Sequence, residues 1–439
     1  MASRPTVVLI PRWGSGHFMS ALEAGKKLLA TGDGAFSLTV LVMHAPTQEK
    51  ASEVEGHVRR EAASGLDIRF IQLPAVEHPT DWVDQVEFVF RYVQLHAPHV
   101  KTAIDGLAPS SRVVAVVVDF FLTALFDVAQ ELSVPAYVYF TSPAAFLALM
   151  LRQNYDTFEY HGCRFMEARG VIVNTTVELE ASVLSAIADG RCVPGRPAPA
   201  LHAIGPVIWF EPKDDDQHRH ECVRWLDAQP PASVVLLCFG SMGSHDAAQV
   251  REIAAGLERS GHRFLWVLRG SPVAGTRHPT DANLDELLPQ GFLEATAGRG
   301  LVWPAWAPQR EILSHAAVGG FVTHCGWNSV LESLWFGVPM VPWPLYGEQH
   351  LNAFELVASV GVAVALEMDR KKGFFVEAAE LERAVRSLMD GGSEEGRKAR
   401  AKASETSAEF RRVVGDGGSS CTALQRLVSE ILDLPDGRR

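Results

Sequence analysis

Residues 319–337 read GGFVTHCGWNSVLESLWFG. The opening apolar run is strand-like and ends at His324, Gly326 permits a sharp turn, and Asn328 or Ser329 then opens a helix whose apolar face includes Leu331, Leu334 and Trp335. Strand, tight loop and helix in this order make one unit of a parallel α/β sheet. A helix N-terminus offers unpaired N–H groups and a partial positive charge of ~0.5, which suits an anion such as a diphosphate. The same residues allow plainer readings. Ser329 and Glu332 fit a Ser-x-x-Glu capping box, and His324 fits a histidine satisfied within a core.

The pattern repeats on either side. Short β-branched or aromatic runs at 234–239 (VVLLCF), 264–268 (FLWVL), 301–303, 320–323 and 340–342 alternate with helical stretches. Before them lies a similar series at 6–10 (TVVLI), 38–43 (LTVLVM), 113–118 (VVAVVV) and 137–140. The fold class is therefore α/β, with two Rossmann-like doubly wound domains expected at 1–210 and 221–418. Residues 211–220 (EPKDDDQHRH) are too charged for a core and read as the interdomain linker. After Gly417 and Gly418, the spacing of Leu424, Leu427, Val428 and Ile431 predicts an amphipathic helix over 419–439, expected to pack back on the N-terminal domain. Doubly wound sheets bind ligands at the carboxyl ends of their strands, so two such domains facing one another make a cleft where the chemistry belongs.

Composition narrows the function. The 439 residues suggest two or three domains at ~150 residues each. With 47% hydrophobic and 21% charged residues, the chain has ordinary globular composition and not that of a disordered one. There are 40 Lys+Arg against 52 Asp+Glu, a net charge of −12, which removes the attraction to phosphate backbones that nucleic-acid binding needs. The longest apolar run, 113–129, is broken by Asp119 and Asp127, whereas a membrane span needs ~20 mostly apolar residues. The apolar stretch at 7–10 is cut by Pro11 and Arg12, too short for a signal peptide, so a cytoplasmic protein is expected. Cysteines 163, 192, 222, 238, 325 and 421 are scattered without a C-x-x-C pair, as reduced thiols are. The pairs His96/His99 and His218/His220 lack further ligands at metal spacing, so no metal is expected.

A longer pattern surrounds the opening stretch: W-A-P-Q at 306–309, H-C-G-W-N-S at 324–329, Glu332, and G-E-Q at 347–349. It resembles, position for position, the signature box of plant UDP-glycosyltransferases, and the resemblance extends over almost the whole chain. It implies the GT-B fold, with a UDP-sugar held by the C-terminal domain. Carried over, Trp306 stacks on uracil with Ala307 and Gln309 nearby. His324, Asn328 and Ser329 hold the diphosphate, and Glu332 accepts the ribose hydroxyls. Trp327, Glu348 and Gln349 bind the sugar, and Ser241, in the turn Phe239-Gly240-Ser241, is a second phosphate donor. Each assignment is chemically sensible: an aromatic for a base, a carboxylate for paired hydroxyls, helix-start donors for phosphate. In the family, glutamine at the final position of the box goes with UDP-glucose and histidine with UDP-galactose, while an arginine in place of Trp327 goes with glucuronate; Gln349 therefore implies glucose. The amide of Gln349 has one carbonyl and one NH₂ group to pair with adjacent hydroxyls.

His17 follows the first strand through Pro11-Arg12-Trp13-Gly14-Ser15-Gly16, and Asp119 ends the apolar strand at 113–118. Alone, an aspartate at such a place is often a loop cap. Together the two residues suit a general base and the carboxylate that orients it, and the resembling family has its catalytic pair at these two places. The implied reaction is inverting, metal-independent transfer of glucose from UDP-glucose to a small phenolic, flavonoid-like metabolite. UDP-glucose is then a co-substrate, no cofactor is required, and a monomer is expected. Trp13, Phe18, Phe120, Phe121 and Phe146 are candidates to line the aromatic acceptor's pocket, or else are core.

Two departures stand out. Ser20 replaces a proline usual in the family, and the segment 151–165 (LRQNYDTFEYHGCRF) is short ahead of G-V-I-V-N-T at 170–175, in a region that normally walls the acceptor pocket. Rival readings fit less well. Gly14-Ser15-Gly16 lacks the third small residue of a dinucleotide-binding loop, and no ribose-binding acid ends the second strand at His44. Asp214 and Asp216 match the Asp-x-Asp of metal-dependent transferases, but within a charged linker. C-glycosyl transfer and a non-catalytic nucleotide-sugar-binding protein remain as alternatives.

Overall fold

Seven parallel strands make the sheet of the first unit in the computed structural model, which describes residues 4–83, 85–107, 111–152, 156–193, 195–210, 219–273 and 278–433. They are β1 (Pro5–Ile10), β2 (Ser37–Val42), β3 (Ile68–Gln72), β4 (Arg112–Asp119), β5 (Ala136–Phe140), β6 (Gly170–Val173) and β7 (Leu201–Ala203), in the order β3-β2-β1-β4-β5-β6-β7. The described residues up to Trp209 and from Arg412 onward form this unit, and those of Phe210–Arg411 form the other. In the second unit β8 (Val234–Cys238) and β9 (Arg263–Val267) precede a small antiparallel hairpin, β10 (Arg269–Pro272) and β11 (Pro279–Asp281). Then come β12 (Gly300–Trp303), β13 (Val318–Thr323) and β14 (Met340–Pro342), and the parallel sheet runs β12-β9-β8-β13-β14.

Central strands β1, β4, β8 and β13 are buried along almost their whole length, because helices cover both faces of each sheet. That is why they appear in the sequence as unbroken apolar runs. Trp266 and Trp343 are the largest side chains sealed in the core of the second unit, packed with Phe264, Leu237 and Val322. In each sheet the strand order reverses once, between β1 and β4 and between β8 and β13. Loops that leave these neighbours diverge, and the crevice they open is the natural ligand site of the fold.

Three strands escape a reading by apolar runs: β3 is half-exposed, β7 has three residues, and β6 stands out only as part of G-V-I-V-N-T. The chain returns to the first unit at Arg412, inside the helix Glu394–Val414, earlier than the expected boundary at 418. The last helix, Ser419–Leu432, buries Leu424, Leu427, Val428 and Ile431. Its Ser420 hydroxyl donates to the Gly205 carbonyl at 2.5 Å, and Glu430 accepts from Tyr137 Oη at 3.0 Å and Arg169 Nε at 3.1 Å. Residues 211–218 of the expected linker, including Asp214 and Asp216, lie outside the described residues.

Candidate active site

Chemistry gathers at the strand-order reversal of each sheet. In the first unit β1 leads through Gly14, whose φ of +94° suits glycine, into the helix Ser15–Thr31, and His17 sits in its first turn. β4, paired with β1 up to Ile10↔Val118, ends in Asp119. His17 Nδ1 and Asp119 Oδ2 are 2.7 Å apart, with the carboxylate 0% exposed and the imidazole side chain 23% exposed. A carboxylate can only accept, so Nδ1 carries the proton and Nε2 keeps its lone pair. The other oxygen, Oδ1, accepts from the Phe121 N–H at 3.0 Å, which fixes the carboxylate. Asp119 is thus both the loop cap and the partner of the histidine. Thr141 Oγ1 is 3.4 Å from His17 Nδ1.

Aromatic rings stand around this pair. Phe120 and Phe121 lie 5.6 and 5.7 Å from the His17 ring, and Trp13 meets Tyr92 edge-on at 5.4 Å. Phe18 and Phe146 do not join them. Phe18, one residue beyond His17 on the helix, is turned about 100° away and is sealed in the core beside His57. Phe146 belongs to a helix that is buried almost throughout and packs on Phe140 of β5. The substituted Ser20 is tied in by Tyr139 Oη at 2.8 Å and Asn174 Nδ2 at 3.4 Å, so two buried side chains occupy the hydroxyl. Of the short segment, residues 153–155 lie outside the described residues, while Asp156–Phe165 is a helix. Its buried His161 bonds Thr123 Oγ1 at 2.7 Å and meets Phe121 edge-on at 5.8 Å. Burial holds His161 neutral, with its pKa lowered to about 4.

In the second unit β8 runs into Phe239-Gly240-Ser241 and its neighbour β13 into His324-Cys325-Gly326. Ser241 is exposed. The His324 ring fills the space between the two turns: a Cβ on Gly240 would come within 2.6 Å of His324 Nε2, and one on Gly326 within 2.5 Å. Burial lowers the His324 pKa to about 4, so it is a neutral hydrogen-bonding group and not a cation. Cys325 takes a positive φ of 63°, and the turn is held by Cys325 N–H donating to Thr323 Oγ1 at 3.2 Å and Asn352 Nδ2 donating to the Cys325 carbonyl at 2.8 Å.

The helix begins at Trp327 with Gly326 as its N-cap, one or two residues earlier than Asn328 or Ser329. Ser329 therefore lies inside the first turn and forms no capping box with Glu332. Instead Gln309 Nε2 donates to both, to Ser329 Oγ at 2.9 Å and to Glu332 Oε2 at 2.7 Å. One amide thus holds the hydroxyl and the carboxylate in place. Trp306 is 56% exposed, Ala307 beside it is buried, and Trp327 is buried as well. Half-buried Glu348 is the N-cap residue of the helix Gln349–Phe354. Gln349 departs from the sequence argument: its Oε1 accepts from the backbone N–H groups of Leu345 at 2.9 Å and Tyr346 at 3.1 Å, so its carbonyl is spent on the loop and only Nε2 remains for a sugar hydroxyl.

The sequence reading passed over Arg12, Thr141, His161 and Asn352, because their value lies in contacts across 27 to 124 residues of chain or in the lack of one, and no local spacing signals either. Among the described residues, no group of three or more His, Cys, Asp or Glu is placed to hold a metal ion, and no helix is long and apolar enough to cross a membrane.

Residues 170–396 match the family described as UDP-glucoronosyl and UDP-glucosyl transferase. Malvidin galactosylase UGT88C3 of Oryza sativa subsp. japonica is 56% identical over 476 aligned residues, covering 98% of each chain. That alignment is longer than the 439 residues of this chain, so the rice protein carries residues this chain lacks. Phloretin 2'-O-glucosyltransferase of Malus domestica is 38% identical over 481 residues, covering 97% of this chain and 99% of its own. Among solved structures, Medicago truncatula UGT71G1 complexed with UDP-glucose superposes with a TM-score of 0.85 at 34% identity, covering 98% of each chain. A UGT transferase from Siraitia grosvenorii in complex with UDP gives 0.84 at 36% identity, covering 98% of this chain and all of its own.

Proposed function

This chain belongs to the plant UDP-glycosyltransferases and is an enzyme of that family with the GT-B fold, and from that premise we propose that it transfers glucose from UDP-glucose to a hydroxyl of a small flavonoid-like phenol, with inversion. What supports the mechanism most is the 2.7 Å contact of His17 with a buried Asp119 at the strand-order reversal of the first sheet, among aromatic rings. In this reading His17 Nε2 takes the proton of the acceptor hydroxyl as its oxygen attacks the anomeric carbon. The bond from that carbon to the diphosphate oxygen breaks, and UDP departs. The imidazolium left behind is stabilised by Asp119, which stays ionised. A single displacement turns an α-linked donor into a β-glucoside.

The second unit then holds the nucleotide. The exposed Trp306 ring stacks on uracil, Glu332 accepts the ribose hydroxyls in the pose set by Gln309, and His324, Asn328, Ser329 and Ser241 meet the diphosphate together with the helix start. These donors carry the charge compensation, so the reaction needs no divalent ion. Trp327, Glu348 and Gln349 Nε2 contact the sugar.

UDP-galactose is the second donor reading. A relative 56% identical is named a galactosylase, and with its carbonyl engaged Gln349 contributes less discrimination than a free amide would. Malvidin and phloretin in the relatives' names support a polyphenol as acceptor.

The test is a donor panel of UDP-glucose, UDP-galactose and UDP-glucuronate with flavonoid acceptors in excess EDTA, with the product linkage determined by NMR. We expect a β-O-glucoside, with UDP-glucose ahead by about tenfold or more, since one mispaired polar group costs one to two decades. A faster rate with UDP-galactose would replace the donor, a carbon–carbon link would replace O-transfer, and complete loss reversed by magnesium would end the metal-free reading.

A further inference from the structure

Arg12 lies in the loop that carries β1 to His17, and the mechanism above leaves it without a task. Its guanidinium carbon sits 5.3 Å from the centre of the Trp13 ring and 5.1 Å from that of Phe121, so the cation lies against two rings, of which Phe121 is also beside the base. Nε is shut off from solvent and has no hydrogen-bond partner, while the residue as a whole is half-buried. Asp119 is the charge that acts on it, yet both oxygens of that carboxylate are engaged, one by His17 and one by the Phe121 N–H. Burial pulls the guanidinium below the ordinary arginine range, and Asp119 offsets part of that.

Such a group stands at a cost. An arginine keeps its charge at any working pH, has five donors and no acceptor, and here its Nε loses hydration without gaining a hydrogen-bond partner. Its planar fork matches a planar oxyanion, and the aromatic rings next to it match a flat ring bearing one.

We propose that Arg12 selects acceptors, favouring planar phenols that carry a second, ionised oxygen, which its guanidinium receives while another hydroxyl of the same molecule meets His17. The inference rests on the phenolic-acceptor reading above and deepens it. The oxyanion replaces the water at the terminal nitrogens and supplies the partner that the protein withholds. A neutral acceptor of the same shape gains the ring contacts but leaves the cation unmatched.

The experiment compares 4-hydroxycinnamate with its methyl ester, reading only the phenolic O-glycoside, for wild type, Arg12→Met and Arg12→Lys. Tm and UDP affinity of each variant are measured as checks on folding. For wild type we expect kcat/KM to favour the carboxylate by about tenfold or more, mainly through KM. Arg12→Met should bring the ratio to within about threefold of unity, and Arg12→Lys, which keeps the charge and loses the fork, should fall between. An equal loss on both acceptors in Arg12→Met would mean that Arg12 acts on the Asp119–His17 pair and would overturn acceptor selection. So would a wild type that uses ester and acid equally well. If wild type glycosylates neither phenol nor any flavonoid, the phenolic reading itself falls, which is a different result. Should Arg12→Met fail to fold, Arg12→Lys and the wild-type ratio still decide.

Discussion

Asp119 has two oxygens and two duties, one to its own loop and one to an imidazole 102 residues away in the chain. Asp119→Asn keeps the shape but supplies one acceptor where two are used, so either the loop or the tautomer of His17 must give way. We expect kcat to fall about 10- to 100-fold with UDP affinity unchanged, a smaller loss than removal of the base itself gives; a wild-type rate in steady-state kinetics would take Asp119 out of the mechanism. The meeting of His17 and Asp119 was legible because Asp119 ends one apolar strand of a parallel sheet and His17 opens the helix that follows its neighbour, so topology brings both to the same edge. Arg12 was not, since the lack of a partner is a property of three-dimensional surroundings. Gln349 was legible as a residue and misread as a donor–acceptor pair, because the loop at Leu345 and Tyr346 takes its carbonyl oxygen and nothing in the spacing reveals that.

At the scale of elements, the turns after β8 and β13 are cut to fit one imidazole. Gly240 has a φ of +74° and faces His324 Nε2 closely enough that a Cβ would sit 2.6 Å away. Gly240→Ala therefore strains the backbone and displaces the ring, at about 1 kcal/mol or more for the backbone alone. Isothermal titration should show UDP affinity lowered about tenfold, while Gly392→Ala, where nothing lies within 4 Å, serves as the control and binds as wild type does. Undiminished UDP binding by Gly240→Ala would separate this turn from the nucleotide. The strand-turn-helix order around His324 was plain in the sequence, because an apolar run, a glycine and an amphipathic stretch follow one another. The capping box was not a sound reading: Gly326 starts the helix early enough to carry Ser329 into the first turn, where its hydroxyl meets Gln309 from another element. Strands β3 and β7 were hidden by partial exposure and by shortness.

Across the whole molecule, three histidines are held as neutral groups, buried His161 in the first unit and half-buried His245 and buried His324 in the second, with pKa values lowered by desolvation to about 4. Unfolded, all three titrate near 6.5, so between about pH 6.5 and 4 the unfolded chain binds more protons and stability falls as the pH falls. We expect Tm to drop by about 3 °C or more from pH 7 to pH 5; a constant or rising Tm over that interval would contradict the desolvation of these three rings as neutral groups. The proposed division of labour puts the base in the first unit and the nucleotide cradle in the second, and it was the alternation of apolar runs, restarted once, that made two such sheets readable. It follows that the two functions are separable by mutation, and His17→Ala tests this most directly. The account predicts that transfer from UDP-glucose to a phenol falls by about 10²–10⁴-fold while the dissociation constant for UDP stays within about threefold of wild type, near 0.65 kcal/mol. A variant that keeps more than about a tenth of wild-type turnover, well above what loss of a general base leaves, or that loses UDP binding together with transfer, would contradict it.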